Sequence, residues 1–164
     1  MNIVLFEPEI PYNTGNIGRT CVATNTKLHL IKPLGFSLDQ KEIKRAGLDY
    51  WPQLDYEVYE NLDDFLEKND HPLVWYATTK AHSVYTDATY APGDYIMFGP
   101  ESRGIPEEIL CKQEDRCVRI PMFGDSRSIN LCNSVAIILF EALRQQGFEG
   151  LNTKGELHRL TWSK

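Results

Sequence analysis

Apolar residues fall along the chain in short dense runs, and the stretches between them carry helical periodicity. Asn2–Phe6, Val74–Ala77, Tyr95–Phe98 and residues 28–31 and 117–120 are rich in aliphatic and aromatic side chains and predict strands, with a weaker one at Tyr56–Tyr59. Residues 15–24, 39–46, 62–67 and 106–111 read as helices between them. The strongest helix spans residues 130–146. There Leu131, Val135, Ile138, Leu139, Ala142 and Leu143 recur at helical spacing, and Gly147 provides a stop. Cys132, Ala136 and Phe140 form a second apolar line on the same helix, which calls either for burial on both sides within one subunit or for a subunit interface. Strands that alternate with helices predict an α/β fold, a mostly parallel sheet flanked by helices. There is no repeat or low-complexity linker, so residues 1–164 are expected to form a single domain, its tail after about residue 150 peripheral.

Composition adds little, and charge adds something only when it is located. Hydrophobic residues make up 42% of the chain, and no run approaches the ~20 apolar residues of a membrane span. The opening residues read as a strand rather than a leader, so the expected location is cytoplasmic, with no membrane partner. The net charge of −6 argues at first against a nucleic-acid partner. However, residues 55–70 alone sum to −6, leaving the rest neutral, and residues 16–50 sum to +3. One face can therefore repel phosphate while another attracts it. Cys21, Cys111, Cys117 and Cys132 form no C-x-x-C pair, and no His lies at zinc-finger spacing from them; reduced and mostly buried thiols are expected.

Three loops look built for a ligand. The first follows the first strand and contains Pro8, Pro11, Asn13, Thr14, Asn16 and Arg19; its Asn or Thr residues suit helix capping, and Arg19 suits a surface ion pair or an anion. The second is Gly99-Pro100-Glu101-Ser102-Arg103-Gly104-Ile105-Pro106. Here Gly99 allows close approach to the backbone, Gly104 allows positive φ, and Glu101 and Arg103 suit an ion pair or a ligand. The third runs from Pro121 to Leu131, with Ser128 placed as an N-cap and Arg127 and Asn130 beside it. All three sit where strands end, which is where open parallel sheets bind ligands. No G-x-G-x-x-G, P-loop or G-x-S-x-G pattern occurs, and no metal-like cluster is seen.

Taken in order, these segments resemble the motifs of the SpoU-like branch of the SPOUT RNA methyltransferases. Asn13-Thr14-Gly15-Asn16-Ile17-Gly18-Arg19 resembles the first motif and Phe98-Gly99-Pro100-Glu101-Ser102-Arg103-Gly104 the second. The third is matched by Arg119-Ile120-Pro121-Met122 followed by Ser126-Arg127-Ser128-Ile129-Asn130-Leu131. The likeness extends over roughly residues 1–150. Glu7-Pro8-Glu9-Ile10-Pro11 and Ala46-Gly47-Leu48-Asp49-Tyr50 narrow it to the small bacterial tRNA (cytidine/uridine-2′-O)-methyltransferases that modify the wobble nucleotide.

The resemblance implies a C-terminal deep trefoil knot and a homodimer packed through the first and last helices. It also implies methyl transfer from S-adenosyl-L-methionine, with S-adenosyl-L-homocysteine as product and no metal, to a ribose 2′-hydroxyl in the tRNA anticodon arm. Carried over by residue, Ala77, Gly99, Ile120, Met122, Ser128 and Leu131 are the expected cofactor-binding positions, and Arg19, Glu101, Ser128 and Asn130 the expected catalytic ones. A guanidinium stays protonated at neutral pH, so Arg19 is better suited to clamp phosphate or polarise the hydroxyl than to act as a base. Glu101 is expected to orient Arg19. The rival readings are a non-catalytic RNA-binding module of the same fold, a methyltransferase acting at another RNA site and a flavodoxin-like small-molecule binder.

Overall fold

The computed structural model describes residues 1–39, 49–124 and 128–162. The strands are β1 (Asn2–Phe6), β2 (Lys27–Ile31), β3 (Tyr56–Tyr59), β4 (Val74–Ala77), β5 (Ser83–Val84), β6 (Tyr95–Phe98) and β7 (Cys117–Arg119). They form one sheet, in the order β3-β2-β1-β6-β4-β7-β5, and every pairing in it is parallel. The α-helices among the described residues are α1 (Pro11–Thr24), α2 (Leu62–Lys68), α3 (Glu107–Leu110) and α4 (Leu131–Gln145). The expected helix at residues 39–46, beyond Asp39, and Asp125, Ser126 and Arg127 of the third loop lie outside the described residues.

Strands β1, β2, β4 and β6 bury both of their faces, which explains why they read as near-continuous apolar runs, whereas Ser83 of the edge strand β5 is exposed. Ile3, Leu5, Leu28, Leu30, Ile96 and Phe98 point into one core, closed by α1 and α4 through Ile17, Cys21, Val135 and Leu139. Their neighbours Val4, Phe6, Ile31 and Met97 point into the other, with Phe65 of α2 and Leu110 of α3. The stripe expected on α4 is buried at Val135, Ile138, Leu139, Ala142 and Leu143. Its second line is not buried in this chain. Cys132 and Ala136 are half-buried and Phe140 is 45% exposed.

Several expectations are corrected. Helix α1 starts at Pro11, four residues before the expected start, because a proline lacks only an N–H that the first turn leaves unpaired anyway. Its N-cap residue is Ile10, which offers no side-chain acceptor, so Asn13, Thr14 and Asn16 do not cap it. Ser128 does not cap α4; Asn130 does, its Oδ1 accepting from the Cys132 N–H at 2.9 Å. Of the cysteines, only Cys21 and Cys117 are buried, while Cys111 is exposed and Cys132 intermediate. Strand β5, outside the expected set, is only two residues long and so carries no periodicity in the sequence.

His29 lies in the second core, 1% exposed, its ring nitrogens within hydrogen-bonding distance of Tyr59 Oη (2.8 Å) and Asn2 Oδ1 (3.2 Å). Burial, helped by the nearby Lys27 charge, lowers its pKa from 6.5 to about 4. The unfolded chain therefore takes up a proton on His29 between those values while the native state does not, and stability falls as pH drops through that window. Relative to His29→Gln, the protein should lose about 2 kcal/mol more between pH 7 and pH 5 in denaturant titrations. Equal losses in the two proteins would show that His29 does not set the acid limit.

Candidate active site

Since all strands run the same way, the loops after β1, β6, β4 and β7 meet at one edge of the sheet. They enclose a cavity of about 550 Å³, a size usual for small-molecule sites. Ala77, Gly99, Ile120, Met122, Ser128 and Leu131 all line it, as do Glu101 and Asn130. Eight of the nine residues singled out by sequence are thus brought together around one space. Arg19 is the exception. It is absent from that lining; its guanidinium lies 3.6 Å from Asp49 and 5.0 Å from the centre of the Tyr50 ring, with the side chain 66% exposed.

Glu101 does not reach Arg19 in this structure. It turns instead to the start of α1, where its carboxylate accepts from the backbone N–H groups of Glu9 (2.9 Å) and Ile10 (3.2 Å). A carboxylate carried from 91 residues away thus pairs with the N–H of the N-cap residue Ile10 and of Glu9 before it, beside the positive end of the helix dipole. Asn13 completes the arrangement. Buried to 4% exposure, it donates through Nδ2 to Glu101 at 3.0 Å and accepts through Oδ1 from Asn130 Nδ2 at 3.1 Å. One amide therefore couples the three loops. By residue type and position Asn13 fits a cap; the one sequence signal of a further role is that it opens the first matched motif.

The second loop closes on itself. A Cβ on Gly99 would sit 2.3 Å from the Gly104 carbonyl carbon and the Ile105 nitrogen, so glycine is demanded by the loop's own return. Gly104 has φ +71° and donates its N–H to the Pro100 carbonyl at 2.9 Å, as a tight turn requires. Arg103 pairs with Glu7 of the first loop rather than with Glu101. Lys80, at the far rim, pairs with Glu107 at 2.7 Å. Behind α1, the Tyr50 hydroxyl donates to the Gly15 carbonyl, which ties the segment after residue 48 to the helix that carries Arg19.

The acidic segment lies elsewhere. It forms β3 and α2 at the sheet edge, partly neutralised by the Lys27–Glu57, Lys32–Glu60 and Lys68–Asp64 pairs. Among the described residues no group of His, Cys, Asp and Glu is arranged to hold a metal ion, and no helix is long and apolar enough to cross a membrane.

A parallel sheet with a cavity at the carboxyl ends of its strands, framed by three polar loops, has the layout of a ligand site of the open α/β class. The family model of the SpoU rRNA methylases matches residues 1–140, and the chain belongs to that family. It is 48% identical over 150 residues to the tRNA (cytidine(34)-2′-O)-methyltransferase of Saccharophagus degradans, an alignment covering 91% of this chain and 97% of that one. It is 46% identical over 151 residues to the protein of the same name from Escherichia coli, covering 92% and 96%. A solved structure described as giving insight into 2′-OH methylation of C/U34 on tRNA superimposes with a TM-score of 0.82 at 43% identity, over 89% of this chain and 95% of the other. An AdoMet-bound rRNA methyltransferase from Sinorhizobium meliloti superimposes with a TM-score of 0.75 at 25% identity, over 87% and 55%.

Proposed function

We propose that the chain transfers a methyl group from S-adenosyl-L-methionine to the ribose 2′-hydroxyl of the wobble cytidine or uridine of tRNA. The observation that carries this reading is the convergence of Ala77, Gly99, Ile120, Met122, Ser128 and Leu131 on one cavity, with Glu101 and Asn130 in its wall. The relatives named for position 34 support the choice of substrate.

The cavity suits the cofactor chemically. Its aliphatic side chains offer an apolar bed, and the strand-end backbone at Gly99 and Ile120 offers hydrogen-bonding groups for a purine edge. When bound, the cofactor supplies a methyl group activated on a sulfonium. The protein's part is alignment and help with the hydroxyl proton. Asn130, fixed by Asn13 and by its own capping bond, holds the third loop against the first. Glu101 anchors the start of α1, and that helix presents Arg19 about two turns further on, outside the cofactor space. At that position a permanent cation suits the phosphate of an incoming nucleotide and lowers the pKa of the neighbouring 2′-hydroxyl, water or the target's own phosphate taking the proton.

The finer architecture follows the same reading. The insertion of β7 between β4 and β5, both made earlier, with α4 returning against α1, supports the family's knotted threading. The half-exposed line of Cys132, Ala136 and Phe140 on α4, with Tyr12 77% exposed on the adjacent α1, supports a homodimer through these helices. The common sheet supports one domain with a peripheral tail, and tRNA as substrate supports a cytoplasmic location. The deciding experiment is transfer from labelled cofactor to bulk tRNA, with nucleoside digestion of the product and sedimentation of the enzyme. The expected product is 2′-O-methylcytidine or 2′-O-methyluridine at position 34, made by a dimer. A methyl on a base atom, or tRNA binding without transfer, would overturn the assignment.

A further inference from the structure

We propose that Glu9, outside the cofactor cavity, is a positioning residue that sets the second loop for cofactor binding. The proposal rests on the reading of that cavity as the cofactor site. The Glu9 carboxylate accepts from the Ser102 N–H at 2.9 Å through one oxygen and from the Ser102 hydroxyl at 2.7 Å through the other. In return, the neighbouring Glu101 carboxylate accepts from the Glu9 N–H at 2.9 Å. Each loop therefore offers a carboxylate to the other's backbone, one residue apart, in a reciprocal clasp.

The clasp is braced from behind. The Gly35 N–H donates to the Pro8 carbonyl at 2.9 Å, and a Cβ at Gly35 would lie 2.4 Å from the Glu9 carbonyl oxygen, so the loop after β2 presses directly on this backbone. Glu7, two residues earlier, is held at φ +49°, a conformation that a non-glycine residue rarely adopts, and its carboxylate pairs with Arg103. The segment Glu7-Pro8-Glu9, itself outside the cavity lining, thus holds the second loop at Ser102 and Arg103, two residues that line the cavity together with Gly99 and Gly104.

Glu9 is only half-buried and Ser102 is exposed, so little apolar packing depends on their contact. What the contact supplies is a fixed position for a loop that must present its backbone to a ligand. Pre-setting such a loop removes an ordering cost from binding.

The test uses the full-length protein and the variants Glu9→Ala, Glu9→Gln, Ser102→Ala and the double Glu9→Ala/Ser102→Ala. Three readouts are needed: hydrogen exchange of residues 99–105 without cofactor, calorimetric Kd for S-adenosylmethionine, and kcat and KM for tRNA methylation. Glu9→Ala should speed exchange in the loop and weaken cofactor binding roughly 10-fold, the size expected for losing a charge-assisted pair, with little change in Tm. The double variant should be no worse than Glu9→Ala, because both changes remove one interaction. Glu9→Gln should restore most of the affinity, since an amide oxygen still accepts from the Ser102 N–H. Unchanged exchange and Kd in Glu9→Ala, or additive losses in the double variant, would overturn the clasp. A wild type that binds cofactor yet methylates no tRNA would instead overturn the proposed function, and the exchange and Kd comparison would still decide the role of Glu9.

Discussion

Glu101→Ala is expected to abolish detectable methyl transfer and to destabilise the protein by about 3 kcal/mol in urea titrations. Two backbone N–H groups at the start of α1 and the Asn13 amide all donate to this one carboxylate. Removing it leaves three donors without their acceptor and takes a negative charge from the positive end of a helix. Because Asn13 also holds Asn130, the loss spreads to the third loop and hence to two walls of the cavity. Glu101→Gln separates the two effects. It keeps one accepting oxygen and most of the stability, but its amide hydrogens face a donor where the second oxygen stood. Turnover should fall by ~10²-fold, the size of loss that follows when loops which align the reactants are slightly misplaced. Wild-type turnover in Glu101→Gln would show that the carboxylate is structural only.

For Arg19→Ala the expected pattern is the opposite split: a loss of ~10²-fold or more in methylation rate, with cofactor Kd unchanged. Arg19 lies outside the cavity lining, so the cofactor is not expected to register its removal. Stability should hardly move either, since the partners of the Arg19–Asp49 pair are 66% and 85% exposed and such surface pairs contribute little. Arg19→Lys tests the chemistry more finely. It retains the charge but gives up the planar guanidinium that lies over the Tyr50 ring, so it should recover only part of the rate. Near-normal turnover in Arg19→Ala would leave the residue as a surface ion pair with Asp49.

The strands were legible because residues buried on both faces leave no polar gap: Ile3-Val4-Leu5-Phe6 reads as a strand with no further information. The α4 stripe was legible for the complementary reason, one buried face on a long element. The start of α1 was not, because its helical propensity is hidden behind Pro8 and Pro11 and its N-cap residue, Ile10, carries no capping side chain. In the same way, the convergence of Gly99, Ile120 and Leu131 could be read from matched motifs, but the target of Glu101 could not. Whether a carboxylate meets Arg19 or the N–H groups of residues 9 and 10 depends on how two loops 91 or 92 residues apart lie against each other. Asn13 is the instructive case. As a residue type it fits a cap; only its burial between Glu101 and Asn130 shows that it serves as a joint.

The sheet order also sets a timetable. Asn2 of β1 pairs with Tyr95 of β6, and β7, the last strand made, enters the sheet between β4 and β5. The cavity draws on residues from Ile10 to Ile138. A chain emerging from the ribosome therefore exposes β1 with one edge unpaired until β6 arrives, a state that invites wrong partners. During that interval there is no pocket for a ligand to hold. Cofactor cannot speed the early steps of folding; it can only protect the finished protein by mass action, so its abundance in the cell should govern how long a molecule lasts rather than how readily one is made.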